Sequence, residues 1–440
     1  MMNRTRLWAL VWSLWLWVVI SAAATTTTTT RSSSVTISNG LRNLGNTCYL
    51  NSQLQCAFHI PKVRNMILST TTTSATTATT DMTDDTYESN ETETDTASCT
   101  TTTTLSKKVP PPPPPPQESL ALLALRKVFV DMQLAAQHPS NTMADSVVVA
   151  SPAILCQVLG INVLQQQDSQ EFWKLLLPEL QVPALMDLYQ GAFEDVIRAK
   201  DDSGRERRRE ESFLDLSLDV IKCTTVVEAL HDMFGTPEVL SVSEGNGWRP
   251  SKGADKVDAL KGLHLQSQGL PSILQLHLKR FQYDWNTDTT SKVNTPFGFS
   301  ETLDLSEICQ DTNDDTTKDL LLYDLQAVVV HAGEYGSGHY YAYVRPNVRT
   351  SDWYRFNDHC VESVTFDEVA QDATGGKVRA NNNKVKSQGG GGFLARIKRS
   401  LLQYSGTNPY GYGGSTSNAY VLQYVRRCDI PRLYDDLEED

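Results

Sequence analysis

Eight cysteines (48, 56, 99, 156, 223, 309, 360 and 428) are spread along 440 residues, and no two stand in a CxxC pair. Two such pairs are what a compact tetrahedral zinc site draws on, so no structural metal is expected. The same scatter offers no disulfide framework and points to a reducing compartment. Also missing are HExxH, the phosphate-binding GxxxxGK[ST] loop and a dinucleotide-binding glycine fingerprint. Their absence argues against zincins, P-loop enzymes and dinucleotide-dependent enzymes, and no cofactor is expected. Positive charge is in short supply: 39 Lys and Arg face 52 Asp and Glu, a net charge of −13. Nucleic acid needs a basic surface, so it is not the expected partner, whereas an acidic chain suits a basic ligand.

Long apolar runs are scarce too. The clearest is at residues 7–20, where 14 residues are broken only by Ser13. A short basic segment precedes it and the small residues 21–24 follow, which is the layout of a secretory signal. The run is short for a membrane span, but Trp8, Trp12, Trp15 and Trp17 suit an interface. Three readings stand: a cleaved signal, a membrane anchor through residues 7–24, or a misassigned start codon. Residues 25–34 are Ser/Thr-rich, carry Arg31 and lack acids, as transit sequences do. A signal followed by such a sequence fits import into a complex plastid.

Length alone suggests two or three domains. Low-complexity sequence removes part of that. Residues 1–35 read as targeting or disordered sequence. An insertion at about 69–117 is rich in Thr, Ser and acids and ends in the proline run 110–116, and a second at about 374–414 is rich in Gly and Asn. Neither composition buries a core. What remains is one large domain over 36–427, followed by an acidic tail at 428–440. Apolar spacing predicts helices at 119–137, 149–159 and 168–180, the last with Asp168 and Glu171 as a capping-box-like pair. From Phe213 the period changes to alternation, and strands are predicted near 214–220, 272–278, 325–331, 340–345 and 419–424. Helices first and strands afterwards indicate an α+β fold.

Two stretches carry the chemistry. The first, GLRNLGNTCYLNS at 40–52, puts Cys48 after a Gly/Asn turn and before a helix with Leu50, Leu54, Ala57 and Phe58 on one face. The positive end of a helix favours a nucleophilic thiolate. The second, GSGHYYAY at 336–343, puts His339 at the head of an aromatic strand. Gly333, Gly336 and Gly338 make 331–339 read as a mobile loop, suited to a flap. A cysteine and a distant histidine that meet only in the fold are the pattern of a thiol protease. A third group must orient the imidazole. WYRFNDHCV at 353–361 offers Asn357, with Asp358 as the alternative, on a strand that can pair with that of His339. If the extended backbone continues, the two side chains lie on opposite sides.

At these residues the chain resembles the ubiquitin-specific proteases, papain-like cysteine deubiquitinases. Residues 40–58 read like the family's cysteine box and 323–364 like its histidine box. QQDSQEF at 166–172, LPSILQLHLKRF at 270–281 and NAYVLQY at 418–424 fill the family's order between and after them. Within the family the pattern looks closest to the herpesvirus-associated ubiquitin-specific protease, whose fingers lack zinc. The resemblance implies a helical thumb, a β-rich palm and zinc-free fingers. It also implies ubiquitin and ubiquitinated proteins as partners, and cleavage after the terminal Gly-Gly of ubiquitin through a thioester on Cys48. Asn43 matches the family's oxyanion side chain, Tyr340 and Phe281 match positions lining a narrow channel for the tail, and Asp168 stands where it pairs with a tail arginine. A protease for a ubiquitin-like modifier and an inactive ubiquitin-binding scaffold are the alternatives.

Overall fold

In the computed structural model the described residues are 36–69, 118–137, 149–201, 203–309, 319–375 and 416–435. The signal-like segment and nearly all of both low-complexity insertions lie outside them. The helical half begins with α1 (Cys48–Phe58), every residue of which is buried. Such a helix must be covered on all sides. The cover comes from α2 (Pro61–Leu68), α3 (Leu120–Gln137), α4 (Ala153–Val158), α5 (Ser169–Glu179) and α6 (Pro183–Tyr189), together with the sheet beneath. The helix expected at 149–159 is shorter at its start, because Ser151 precedes Pro152 and residues before proline avoid helical backbone.

The strand-rich half follows in the order β1 (Gly191–Ala199), β2 (Glu206–Phe213), β3 (Leu216–Leu218), α7 (Val226–Gly235), β4 (Glu238–Leu240), β5 (Ala259–Leu265) and β6 (Ile273–Leu278). It continues with β7 (Phe281–Asp284), β8 (Thr289–Lys292), β9 (Thr302–Asp304), β10 (Leu322–Glu334), β11 (Ser337–Val344), β12 (Trp353–Asn357) and β13 (Cys360–Val364). α8 (Phe366–Ala373), β14 (Asn418–Arg426) and α9 (Ile430–Tyr434) close it. An eight-stranded sheet runs β13-β12-β11-β10-β14-β6-β3, with β9 beside β10, and only the β3–β6 pairing is parallel. A separate four-stranded sheet runs β2-β1-β5-β4. The α+β expectation holds.

Strand β10 is buried over most of its length because it is covered on both faces. Ala327 and Val329 face the helical core, while Leu325, Val328, Val330 and Ala332 face a second one. A chain of buried amides crosses the sheet centre: Gln275 Nε2 donates to Gln423 Oε1 at 2.8 Å, and Gln423 Nε2 to Gln326 Oε1 at 2.7 Å. Each amide holds its neighbour's register, because an unpaired polar group there carries a desolvation cost. The tail expected from residue 428 is in part folded. Ile430 and Leu433 on α9 are buried in the helical core, so the boundary at 427 falls inside the fold. Their apolar spacing supplies the reason, since both sit on one face of a helical turn.

Candidate active site

Cys48 is the first residue of α1 and is 2% exposed. The Asn43 side chain shapes the turn before it: Oδ1 accepts from the backbone of Gly45 at 3.0 Å and of Thr47 at 3.1 Å. Unpaired N–H groups of the first helical turn lie next to the sulfur. His339 sits near the start of β11, buried, and β11 packs against α1. The Tyr340 N–H points at Cys48 Sγ, 3.5 Å away. β12 pairs with β11 at Ala342–Phe356 and brings Asn357 alongside, where its Oδ1 lies 2.7 Å from His339 Nε2. A carbonyl oxygen only accepts, so Nε2 carries the proton and Nδ1 is left for Cys48. Burial alone would push the His339 pKa down. The hydrogen bond and charge of Cys48 outweigh it, with help from Asn357 and Asp358, and raise the pKa to about 9.

Asp358 corrects the expectation that it and Asn357 lie on opposite sides of an extended strand. The extended backbone does not continue past Asn357. Asp358 has φ +51° in a tight turn that returns the chain to Cys360. Aspartate tolerates that left-handed backbone better than most residues. Its carboxylate therefore lies on the imidazole side, 4.0 Å from His339 Nε2. It also accepts from Asn43 Nδ2 at 3.0 Å and Asn51 Nδ2 at 2.8 Å. The Asp358 carbonyl takes the Leu41 N–H at 2.8 Å. Gly40, at φ +85°, makes that approach feasible: a Cβ there would sit 2.5 Å from the same carbonyl oxygen.

The glycine-rich stretch 331–339 is not an open loop. Its ladder continues through Gly333–Gly338 and Glu334–Ser337, leaving Tyr335 and Gly336 as the turn. Gly338 is needed for packing, since a Cβ there would meet the His331 ring at 2.0 Å. Beside it lies an aromatic cluster. Tyr340, 2% exposed, packs on His331 and Tyr420 at centroid distances of 4.7 and 5.6 Å. The half-buried Phe281 ring touches His331, Tyr335 and Tyr420. Asp168 caps α5 by accepting from Gln170 N at 2.8 Å and Glu171 N at 3.2 Å, and its other oxygen takes the Tyr420 hydroxyl. Among the described residues, no cluster of three or more His, Cys, Asp or Glu forms a metal site.

The profile of the ubiquitin carboxyl-terminal hydrolase family matches residues 39–424. This chain belongs to that family. It is similar to ubiquitin C-terminal hydrolase 13 of Arabidopsis thaliana, 29% identical over 91% of this chain and 30% of the relative. Ubiquitin carboxyl-terminal hydrolase 15 of Saccharomyces cerevisiae is 28% identical over 89% of this chain and 28% of that protein. Ubiquitin carboxyl-terminal hydrolase 7 of Drosophila melanogaster is 26% identical over 91% and 28%. The chain thus spans less than a third of the length of these relatives.

Within this member of the family, sequence reading overlooked several residues around the sulfur. Gln166 Nε2 lies 3.6 Å from Cys48 Sγ. Asn51, one helical turn beyond Cys48, holds Asp358. Tyr341 stacks near His339 at 6.2 Å, and its hydroxyl and that of Tyr343 both donate to Asp372 of α8. Gln166 and Asn51 lie within the recognised motifs, and their place there was the available signal.

Proposed function

We propose that the chain is a thiol-dependent deubiquitinase, hydrolysing the peptide or isopeptide bond after the C-terminal glycine of ubiquitin. His339 takes the proton of Cys48, and the thiolate attacks the scissile carbonyl carbon. The oxyanion is held by the Asn43 amide and the Cys48 N–H. The imidazolium returns its proton to the leaving amine, which departs as the thioester forms. Water, deprotonated by His339, then attacks the thioester and frees ubiquitin and the thiol. Asn357 orients the ring, and Asp358 adds charge to the imidazolium and fixes Asn43. The observation that carries this reading is the His339 ring, held by Asn357 at 2.7 Å on the strand whose next residue, Tyr340, points its N–H at Sγ of the cysteine that starts α1, 3.5 Å away.

In the same reading the tail of ubiquitin passes Tyr340 and Phe281 in a channel wide enough only for Gly-Gly, and a tail arginine pairs with Asp168. The folded domain takes in residues 36–435, interrupted by the two low-complexity insertions. Its fingers are of the zinc-free kind found in the herpesvirus-associated ubiquitin-specific protease. A ubiquitin probe with a C-terminal electrophile, run beside probes for other modifiers, tests the proposal. Wild type should be captured by the ubiquitin probe and Cys48→Ala should not. Capture by another modifier's probe alone would replace ubiquitin as the substrate, and no capture by any probe would favour a binding scaffold.

A further inference from the structure

The carboxamide of Gln166 brackets Gly338, reaching the peptide groups on both sides of it. Its Nε2 donates to the Gly338 carbonyl at 2.7 Å, and its Oε1 accepts the Gly338 N–H at 3.4 Å. The second Nε2 hydrogen is left for Cys48 Sγ, 3.6 Å away. His331 closes the other side of Gly338, with its ring and the Ala332 carbonyl filling the space a side chain would need. Gly338, the residue just before His339, is therefore held between Gln166 and His331. The peptide just after His339 is tied by the Tyr340 N–H to Cys48 Sγ at 3.5 Å. His339 hangs between two fixed points, and both refer back to the same sulfur.

We propose that Gln166 is a positioning residue that sets the separation of His339 from Cys48 through the Gly338 peptide and donates a hydrogen bond to the sulfur once it is a thiolate. This rests on the reading of Cys48 as nucleophile and His339 as base. A carboxamide suits both tasks, because one nitrogen carries two donors and the adjacent oxygen accepts. Gln166→Glu separates this role from packing. The ionised carboxylate has the same shape and still accepts from the Gly338 N–H. It has no donor, however, and it opposes both the Gly338 carbonyl and the thiolate.

The test measures kcat and KM on a ubiquitin C-terminal fluorogenic substrate for wild type, Gln166→Glu, Gln166→Leu and Cys48→Ala, with melting curves for each. We expect kcat to fall about tenfold or more in both Gln166 variants, with Glu the worse, while KM stays within about threefold, as for loss of an aligned proton-transfer group. Should Gln166→Glu fail to fold, the neutral Leu variant carries the same prediction. A folded Gln166→Glu with kcat within about twofold of wild type overturns the proposal. So does a loss that falls wholly on KM. Turnover by Cys48→Ala would take down the nucleophile assignment and this inference with it, whereas a dead Cys48→Ala beside an active Gln166→Glu refutes the inference alone.

Discussion

The two sheets of this chain are held by different means. In the eight-stranded sheet the central strands β10, β14 and β6 are buried on both faces, tied across by the Gln275–Gln423–Gln326 amides, and pressed on by α1. In the four-stranded sheet, β2 is exposed along most of its length and β4 contributes only three residues. Its own buried cluster has four members, Ile197, Ala199, Trp248 and Ala259. Its edge is dressed with ion pairs such as Arg208–Glu194 at 2.9 Å and Arg198–Glu206 at 2.7 Å, which discourage pairing with another strand. The candidate site belongs to the first sheet for a physical reason. Proton transfer tolerates little misplacement, and a strand fixed from both faces supplies that tolerance, whereas one held by solvated charges does not.

The largest break in this contrast should come from the site. Removing the base with His339→Ala should lower kcat/KM nearly as much as removing Cys48, because an unassisted thiol at neutral pH is only a few per cent thiolate. Residual turnover in His339→Ala close to wild type would deny the ring its role. Asn357→Ala should come next, costing roughly a hundredfold in kcat/KM through loss of the 2.7 Å contact. Asp358→Ala should cost less rate but also lower the melting temperature, because it frees Asn43 and Asn51. If Asp358→Ala proves the more damaging to kcat/KM with both proteins folded, the assignment of the orienting residue reverses.

A stability test of the same junction uses Gly40→Ala. The substitution forces a side chain into a φ of +85° and against the Asp358 carbonyl, so it should destabilise by at least about 1 kcal/mol. In thermal melts that is a drop of a few degrees. An unchanged midpoint would show that the junction relaxes freely.

Titration sharpens the comparison further, and its sign differs among the buried histidines. His339 is raised to about 9, so its contribution is full below the unfolded value of 6.5 and is lost as pH rises through 9. Burial drives His59 down to about 3 and pushes His331 far down as well, so both stay neutral in the fold. Their contribution is present above 6.5 and is lost as pH falls through about 3, because the unfolded chain takes up the protons first. His59 Nε2 accepts from the Ser38 N–H at 3.4 Å, a contact that protonation reverses. Melting midpoints should fall between pH 6.5 and 3, and less steeply in His59→Gln. Parallel curves for the two proteins would remove His59 from that account.

How far each part was legible follows from the same contrast. Cys48, His339 and Asn357 stand in short local motifs, and the strands near them carry alternating or continuous apolar residues, so pattern reading located them. The four-stranded sheet was silent because Glu-Arg-Arg-Arg-Glu-Glu at 206–211 has no apolar face, and its strand state comes from pairing with β1. The turn at Asp358 and the packing of Gly338 on His331 depend on partners far away in the chain. Gly333 and Gly338 therefore looked like loop residues when they pair in the strand ladder, with Gly338 pressed against His331.

The smallest effect is expected on the outer sheet, and it tests the contrast from the other side. Arg208 bridges Glu194 on β1 and Glu206 on its own strand, and the two carboxylates are its largest electrostatic influences. Its side chain is 45% exposed, so water screens both contacts and holding the long side chain in place costs entropy. Arg208→Ala should leave the melting midpoint within about 1 °C of wild type at physiological ionic strength, since exposed pairs contribute little. Turnover should also be unaltered, because β2 does not pair with the central sheet and reaches its core only through Phe213, at the strand's other end from Arg208. A drop of several degrees would mean that the charged hairpin is a structural support in its own right. The division between a sheet fixed by burial and a sheet held by solvated charge would then fail.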